Sequence, residues 1–258
     1  MSDDIILETR GLTKHYGGVH ALVDANFALR DGEHVAIVGD NGAGKSTFVR
    51  QITAVEQKTR GDIIFNGKPV HFSGPLEARE AGIETVFQDL ALADDLDVPD
   101  NIFLGRERTK ANWLGPFRIL DYKAMRQATL EGLEKTAVKI PNINNTIRNM
   151  SGGQRQCVAI ARTASFQAKL TIMDEPTAAL GVQETAMVEN IIRTLKEAGQ
   201  PLIIISHNMR QVFDLADRIV VFRRGRIAAN LTKEQTDPQD IVQYITGAKT
   251  GEGYEDAA

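Results

Sequence analysis

A glycine-rich loop between a short apolar run and a helical pattern constrains this chain more than any other feature. The run His34–Val38 is typical of a buried strand, and residues 46–53 carry apolar positions at helical spacing. The loop that joins them fits the pattern G-x-x-x-x-G-K-[ST]. Its residues are Gly39, Asp40, Asn41, Gly42, Ala43, Gly44, Lys45, Ser46 and Thr47. This order predicts the strand–loop–helix unit of an α/β fold.

The loop has the residue types that bind phosphate groups. Its glycines let the backbone close around a β-phosphate with several N–H groups pointing inward. Lys45 has the reach for the β- and γ-phosphates, and Ser46 offers a hydroxyl to Mg²⁺. The N-terminus of the following helix adds its positive dipole end. We predict that the chain binds a nucleoside triphosphate with Mg²⁺; the alternative is a glycine-rich turn with an incidental lysine.

Two carboxylates end a second predicted buried strand, residues 170–173. Asp174 and Glu175 stand at its carboxyl end, where ligands of open α/β sheets bind. Asp174 is predicted to hold Mg²⁺ through water. Glu175 is then free to orient or deprotonate a water molecule that attacks the γ-phosphate. The alternative is a pair of solvated acids at the end of a strand.

The rest of the pattern predicts further elements. Antiparallel strands are expected over residues 5–29 and over 61–72 around the turn Asn66-Gly67. Helices are expected over 121–138 and around the apolar positions 188–195, with a strand at 202–205 and a hairpin over 218–230. Residues 88–101 are acidic and are expected to be a solvated connector.

Composition limits the classes of protein that fit. Of the 258 residues 42% are hydrophobic and 25% charged, and the net charge of -4 does not favour a nucleic-acid-binding surface as the main purpose. No apolar run reaches the ~18 residues that span a bilayer, and the acidic N-terminus does not resemble a signal peptide. Cys157, the single cysteine, fits a reducing compartment and is expected to pack within a helix. We therefore expect a cytosolic chain.

The heptad at residues 150–156 carries a family resemblance. It reads Met150-Ser151-Gly152-Gly153-Gln154-Arg155-Gln156. With the phosphate loop and the acid pair, it resembles the signature of the ATP-binding cassette (ABC) ATPases, and the resemblance extends over residues 5–245. Methionine replaces the leucine that usually begins the signature. A serine N-cap on an ordinary helix would explain the serine but not the order of the whole heptad.

This resemblance implies a fold and a domain plan. The fold is α/β, a P-loop NTPase (RecA-like) core with an N-terminal antiparallel β subdomain and a helical subdomain. Residues 1–248 are expected to form one ABC nucleotide-binding domain. Its catalytic core is placed at about 5–90 and 160–235, and its helical subdomain at about 91–159. Residues 249–258 are expected to be a flexible tail.

The resemblance also assigns roles to single positions. Tyr16 is similar to the aromatic residue on which adenine stacks, although it could be a packing residue. Gln88 is similar to the glutamine that approaches Mg²⁺ and the attacking water, where the transmembrane partner docks. His207 resembles the histidine that contacts the γ-phosphate; the alternative is a polar surface residue. The signature residues face the γ-phosphate bound by the opposite subunit in this family, and they are Ser151, Gly152, Gly153 and Gln154.

One position departs from the family pattern. Residues 178–181 read Ala-Ala-Leu-Gly, and Gly181 stands where the family commonly has aspartate. That carboxylate normally helps to link the two ATP sites of a dimer. We expect weaker coupling between the sites in this chain.

The expected task is that of an energy-coupling subunit. Residues 88–92, 101–107 and 178–182 resemble the ATPases of bacterial ribose/xylose/fructose-type sugar importers. The resemblance implies transmembrane permease subunits, a second copy or a related ATPase, an extracytoplasmic binding protein and the cytoplasmic face of the inner membrane. No nucleic acid is expected. The alternatives are a soluble ABC ATPase that acts on nucleic acid or ribosomes, and a regulatory protein that hydrolyses ATP slowly.

Overall fold

The computed structural model describes residues 4–110, 119–166 and 168–251. These residues form two compact units. The first contains the described residues within Met1–Thr85, Lys169–Pro176 and Lys196–Ala258, and the second those within Val86–Ala168 and Thr177–Leu195. Of the predicted flexible tail, residues 252–258 lie outside the described part of the chain.

Ten strands and eight α-helices lie within these described ranges. The strands are β1 Ile5–Tyr16, β2 Val19–Arg30, β3 His34–Val38, β4 Arg60–Phe65, β5 Lys68–Val70, β6 Ile83–Val86, β7 Leu170–Asp174, β8 Leu202–Ile205, β9 Arg218–Arg223 and β10 Arg226–Thr232. The helices are α1 Lys45–Ile52, α2 Pro75–Ala81, α3 Val98–Phe103, α4 Tyr122–Lys135, α5 Gly152–Ala164, α6 Val182–Glu197, α7 Met209–Leu215 and α8 Pro238–Thr246. All strands and helices predicted from the sequence are present.

Four strands of the first unit form an antiparallel sheet in the order β2-β1-β4-β5. Its inward residues include Leu7, Leu12 and Phe27, which are almost completely buried. The turn between β4 and β5 has φ angles of 49° at Asn66 and 72° at Gly67. Positive φ at both central residues suits a tight hairpin, because it matches the right-handed strand twist. The predicted antiparallel strands are confirmed.

The second sheet has the order β10-β9-β3-β8-β7-β6. Strand β3 pairs in parallel with both β8 and β9, and β7 pairs in parallel with β8. The carboxyl ends of β3, β7 and β8 therefore meet at one edge of the sheet. Gly39 follows β3, Glu175 follows β7, and His207 comes two residues after β8. This strand order brings three sequence-distant motifs together.

Helix α1 is fixed by Phe48, which is completely buried. Its ring centroid lies 5.4 Å from that of Phe27 on β2 and 5.3 Å from that of Phe222 on β9. Because these strands belong to different sheets, the helix packs against both. The C-terminal end of the glycine loop is thereby held in place.

The second unit has its own apolar core. Its buried residues include Val98, Ile102, Phe103, Met125, Ile147 and Val158. On α5, Cys157 is 1% exposed, and its Sγ lies 3.4 Å from the Sδ of Met187. Burial raises the pKa of the Cys157 thiol to about 11, so the thiol is protonated at neutral pH. The predicted packing role of this cysteine is confirmed.

The prediction of a connector over residues 88–101 is wrong at its C-terminal end, where α3 begins at Val98. Asp97 caps this helix by accepting a hydrogen bond from the Asp100 N–H at 3.0 Å. Pro99 suits the first helical turn, because the N–H groups there have no acceptor within the helix. Asn101 is completely buried and bonds to both backbone groups of Ala93. Local capping and a buried amide therefore order a stretch whose acidity predicted a solvated loop.

Acid should destabilise the first unit through His34. Its Nε2 lies 2.9 Å from the carbonyl oxygen of Gln200. Burial, assisted by Lys196, lowers the pKa of His34 from 6.5 to about 4. The unfolded chain takes up a proton near pH 6.5 and the folded chain only near pH 4. The contribution of His34 to the free energy of unfolding is therefore complete above pH 6.5. It falls by up to about 3 kcal/mol as the pH drops to 4.

Urea unfolding of His34→Gln measures this contribution. Glutamine keeps a donor for the Gln200 carbonyl but does not titrate. The free energy of unfolding of this variant should fall less between pH 7 and pH 4 than that of the parent. Equal losses in the two chains would assign the acid sensitivity to other groups.

Candidate active site

Close backbone approach explains two glycines of the loop. Gly39 has a φ of 148°, and a Cβ there would lie 2.3 Å from the carbonyl oxygen of Phe222. Gly44 has a φ of 104°, and its Cβ would lie 2.8 Å from the carbonyl oxygen of Ala21. Neither position can accept a side chain without movement of the backbone. The loop ends at the first turn of α1, whose N–H groups have no acceptor within the helix and can bind an anion.

Lys45 lies within the loop, with 9% of the residue exposed. Its Nζ donates to the carbonyl oxygens of Gly39 at 2.7 Å and Asp40 at 2.9 Å. Burial lowers the pKa of Lys45, and the carboxylates of Glu175 and Asp174 act in the opposite direction. The ammonium group therefore belongs to the same charged cluster as the acid pair. Sequence spacing predicted each group but not this association.

The acid pair stands at the carboxyl edge of the second sheet. Asp174 ends β7, and burial, followed by the charge of Glu175, raises the pKa of its carboxyl group. Lys45 opposes this shift in pKa. Partly buried acids that repel each other are suited to hold a cation, because the cation offsets both the loss of hydration and the mutual repulsion. The predicted metal-binding role of Asp174 fits these electrostatics.

Glu175 has an unusual backbone conformation. Its φ is 53°, in the left-handed region that non-glycine residues seldom occupy. Its N–H donates to the carbonyl oxygen of Ile205 at 2.9 Å, which ties the residue to β8. Such strain is found where the surrounding structure fixes a side chain for function. The backbone therefore sets the direction of the Glu175 carboxylate.

Glu175 and His207 are direct partners. The Oε2 of Glu175 lies 2.7 Å from the Nδ1 of His207, and the two side chains are 17% and 76% exposed. A ring nitrogen at this distance orients the carboxylate and leaves the outer part of the ring in solvent. The sequence predicted separate tasks for the two residues. Their contact depends on the adjacency of β7 and β8, which a sequence pattern does not reveal.

Tyr16 lies at the end of β1 and is 42% exposed. Its hydroxyl group is bonded to Glu56, and the Nζ of Lys14 lies 5.0 Å from its ring centroid. An exposed ring that is held in place by a charged partner is suited to stacking. The role of Tyr16 toward adenine stays a prediction.

The signature turn belongs to the second unit. Ser151 is the N-cap of α5: its Oγ accepts from the Gln154 N–H at 3.3 Å, and its own N–H donates to the Oε1 of Gln154 at 3.0 Å. This reciprocal pair is a capping box. It leaves the Ser151 hydroxyl exposed at a helix N-terminus.

Glu184, on α6, is a partner of this turn that the sequence reasoning missed. Its Oε1 accepts from the Ser151 Oγ at 3.0 Å and from the Gly153 N–H at 3.1 Å. Its Oε2 accepts from the Gly181 N–H at 3.2 Å. In the sequence, a glutamate shortly after a glycine indicates the start of a helix. That pattern indicates the position of Glu184 in the first turn but not its contact with the signature turn.

Gln88 also belongs to the second unit and precedes a tight turn. Leu90 and Ala91 have φ angles of 57° and 45°. The guanidinium of Arg162 donates to the carbonyl oxygens of Leu90 at 3.1 Å and Ala91 at 3.0 Å. Helix α5 therefore supports the backbone that follows Gln88. The predicted role of Gln88 toward Mg²⁺ and water is not tested by these contacts.

A glycine loop, its lysine and an acid pair at the carboxyl edge of a parallel sheet define a P-loop ATPase. The chain belongs to the ABC transporter family, whose model matches residues 22–178. The predicted resemblance and fold class are confirmed.

Relatives extend the match to nearly the whole chain. The chain is 47% identical to the fructose import ATP-binding protein FrcA of Rhizobium meliloti, over 96% of each protein. It is 44% identical to the xylose/arabinose import ATP-binding protein XylG of Sulfolobus acidocaldarius, over 97% of each. The crystal structure of a nucleotide-free ATP-binding cassette from an ABC transporter superimposes with a TM-score of 0.78 at 25% identity. That alignment covers 93% of this chain and 99% of the other.

Helix lengths bear on the membrane connection. Within the described ranges, no helix combines the length and apolar character needed to cross a bilayer.

Proposed function

We propose that this chain is the ATP-hydrolysing, energy-coupling subunit of a bacterial sugar importer. The observation that carries the ATPase part is the contact between Glu175 and His207, in a charged cluster with Lys45 at the carboxyl edge of the sheet. Whole-length similarity to two sugar import ATP-binding proteins supports the transport part and favours it over action on nucleic acid or ribosomes. The subunit would lie at the cytoplasmic face of the inner membrane against permease subunits, supplied by an extracytoplasmic binding protein.

Within the first unit, each residue has a task that its geometry supports. The loop N–H groups and Lys45 bind the phosphates, and the ring of Tyr16 receives adenine. Glu175 accepts a proton from the attacking water, and His207 orients Glu175 and faces the γ-phosphate.

Mg²⁺ fits the residues of this edge. The hydroxyl of Ser46 and the carboxylate of Asp174 would hold it. When bound, the ion would neutralise charge that develops on the phosphates. The raised pKa of Asp174 is the observation that favours a cation there.

The signature turn implies that the working site is shared. Ser151, Gly152, Gly153 and Gln154 present a hydroxyl and helix N–H groups, which suit an anion. We infer that these groups meet the γ-phosphate bound by a second copy or a related ATPase. Closure of two chains around two ATP molecules would then assemble both sites.

Ser151→Arg tests this shared site. The variant should bind ATP on its own phosphate loop with unchanged affinity, and its ATPase rate should fall at least about 100-fold, because the arginine side chain removes the hydroxyl donor and takes the place of the partner's γ-phosphate at this turn. Phosphate release and nucleotide titration measure the two effects. Ala198→Arg adds the same charge at an exposed position beyond α6 and should keep the parental rate. Parental hydrolysis by Ser151→Arg would contradict a site completed by the signature turn.

A further inference from the structure

The carboxylate of Glu184 is held by both helices that meet at the signature turn. Ser151 and Gly153 of the α5 turn donate to one oxygen, and Gly181, which precedes α6, donates to the other. Both donors on the backbone lie at helix N-termini, where the helix dipole favours a negative charge. The N–H groups of Gly153 and Gly181, together with Ser151, lower the pKa of Glu184, so it is ionised at neutral pH.

The turn is shaped to receive this side chain. A Cβ at Gly153 would lie 2.6 Å from the Cγ of Glu184. The absence of a side chain at Gly153 therefore lets the Glu184 side chain come close enough to accept the Gly153 N–H. Gly181 has room for a side chain, since its Cβ would meet only the Oε2 of Glu184, at 3.9 Å. The chain has glycine instead of aspartate at position 181. The carboxylate of Glu184 nevertheless bonds to the backbone of the loop that contains Gly181.

Glu184 occupies two donors of the turn, the Ser151 hydroxyl and the Gly153 N–H. A serine hydroxyl has one hydrogen, and the Ser151 hydroxyl gives it to Glu184 while its oxygen accepts from Gln154. The Gly153 N–H also has one hydrogen, and it points at the same carboxylate oxygen. A phosphate oxygen cannot receive these hydrogens until Glu184 gives them up. Two anions at one pair of donors would also repel each other.

We propose that Glu184 is a placeholder anion, which occupies the signature turn in the single chain and is exchanged for a partner's γ-phosphate when two chains close. This inference rests on the proposed function, in which the turn faces the nucleotide of a second copy. Because the exchange opposes closure, Glu184 sets the ATP concentration at which the dimer forms. Glu184 is a positioning residue: it keeps the donors aligned and releases them to a stronger anion.

The test uses the full chain with Glu175→Gln, in which hydrolysis does not deplete the closed dimer. Adding Glu184→Gln keeps the length of the side chain and removes its charge. The ATP concentration at half-maximal dimer formation, measured by light scattering at fixed protein concentration, should fall at least about threefold, since charged hydrogen bonds are about twice as strong as neutral ones. Glu197→Gln removes the same charge from an exposed position on the same helix and should leave this midpoint unchanged.

An unchanged or higher midpoint for Glu184→Gln would overturn the inference and would indicate that Glu184 only shapes the turn. Glu184→Ala should lower the midpoint as well, and the affinity for ADP reports whether each variant is folded. If Glu175→Gln with Glu184 intact binds ATP but never dimerises, the proposed function itself fails.

Discussion

Replacing Glu175 with glutamine is expected to reduce ATP hydrolysis at least about 100-fold while ATP still binds, because the variant loses its general base. An amide cannot accept the proton of the attacking water, yet it has nearly the size and shape of the carboxylate. It can also keep a hydrogen bond with His207, which now lies 2.7 Å from the carboxylate. ATP should therefore hold the variant in a closed dimer. Phosphate release and light scattering with excess ATP measure the two effects.

The charge change needs a matched control. Glu197→Gln removes a carboxylate from an exposed position at the end of α6 and should hydrolyse ATP at the parental rate. Hydrolysis by Glu175→Gln within a few-fold of the parent would remove Glu175 from the reaction. Loss of activity without a dimer would leave Glu175 as the base and contradict closure as the step that precedes hydrolysis.

Lys45→Ala is expected to weaken ATP binding by at least about 100-fold. The substitution removes the ammonium group that lies 2.7 Å from the Gly39 carbonyl oxygen, inside the loop. It also removes the positive charge that stands beside Asp174 and Glu175, so the two carboxylates would repel the phosphates. Titration with a fluorescent ATP analogue measures the affinity.

The control for Lys45→Ala is Lys123→Ala. Lys123 is exposed on α4, and its removal changes the net charge by the same amount. Its affinity for ATP should equal that of the parent. If Lys45→Ala bound ATP as tightly as Lys123→Ala, the loop would not be the phosphate site.

Local motifs were predictable from the sequence, and the contacts between them were not. The loop at Gly39 and the turn at Asn66 are set by glycine and by nearby residues, so short patterns identify them. The pairing of Glu175 with His207 depends instead on the order of strands in the sheet, which brings together residues 32 positions apart in sequence (207 − 175). Helix α3 was missed because its acidic flank masks a cap at Asp97.

Contacts between sequence-distant residues were also not predictable in the second unit. Ser151 was predicted at a helix start, and the structure confirms that it is the N-cap of α5. Its contact with Glu184, however, spans 33 residues and comes from the first turn of another helix. A single glutamate in the first turn of a helix marks the start of that helix but not a distant partner, so only the fold reveals its contact with Ser151. The family resemblance likewise assigns tasks to matched positions and none to Glu184.

The central claim is that the phosphate loop of one chain and the signature turn of another form one site. Mixing the Lys45→Ala and Ser151→Arg chains tests it directly. In a mixed dimer, the intact loop of the Ser151→Arg chain meets the intact signature of the Lys45→Ala chain, so one of the two sites is complete. Random pairing should then restore roughly a quarter of the parental ATPase rate, although each variant alone is inactive. A mixture no more active than the two chains measured separately would contradict the shared site.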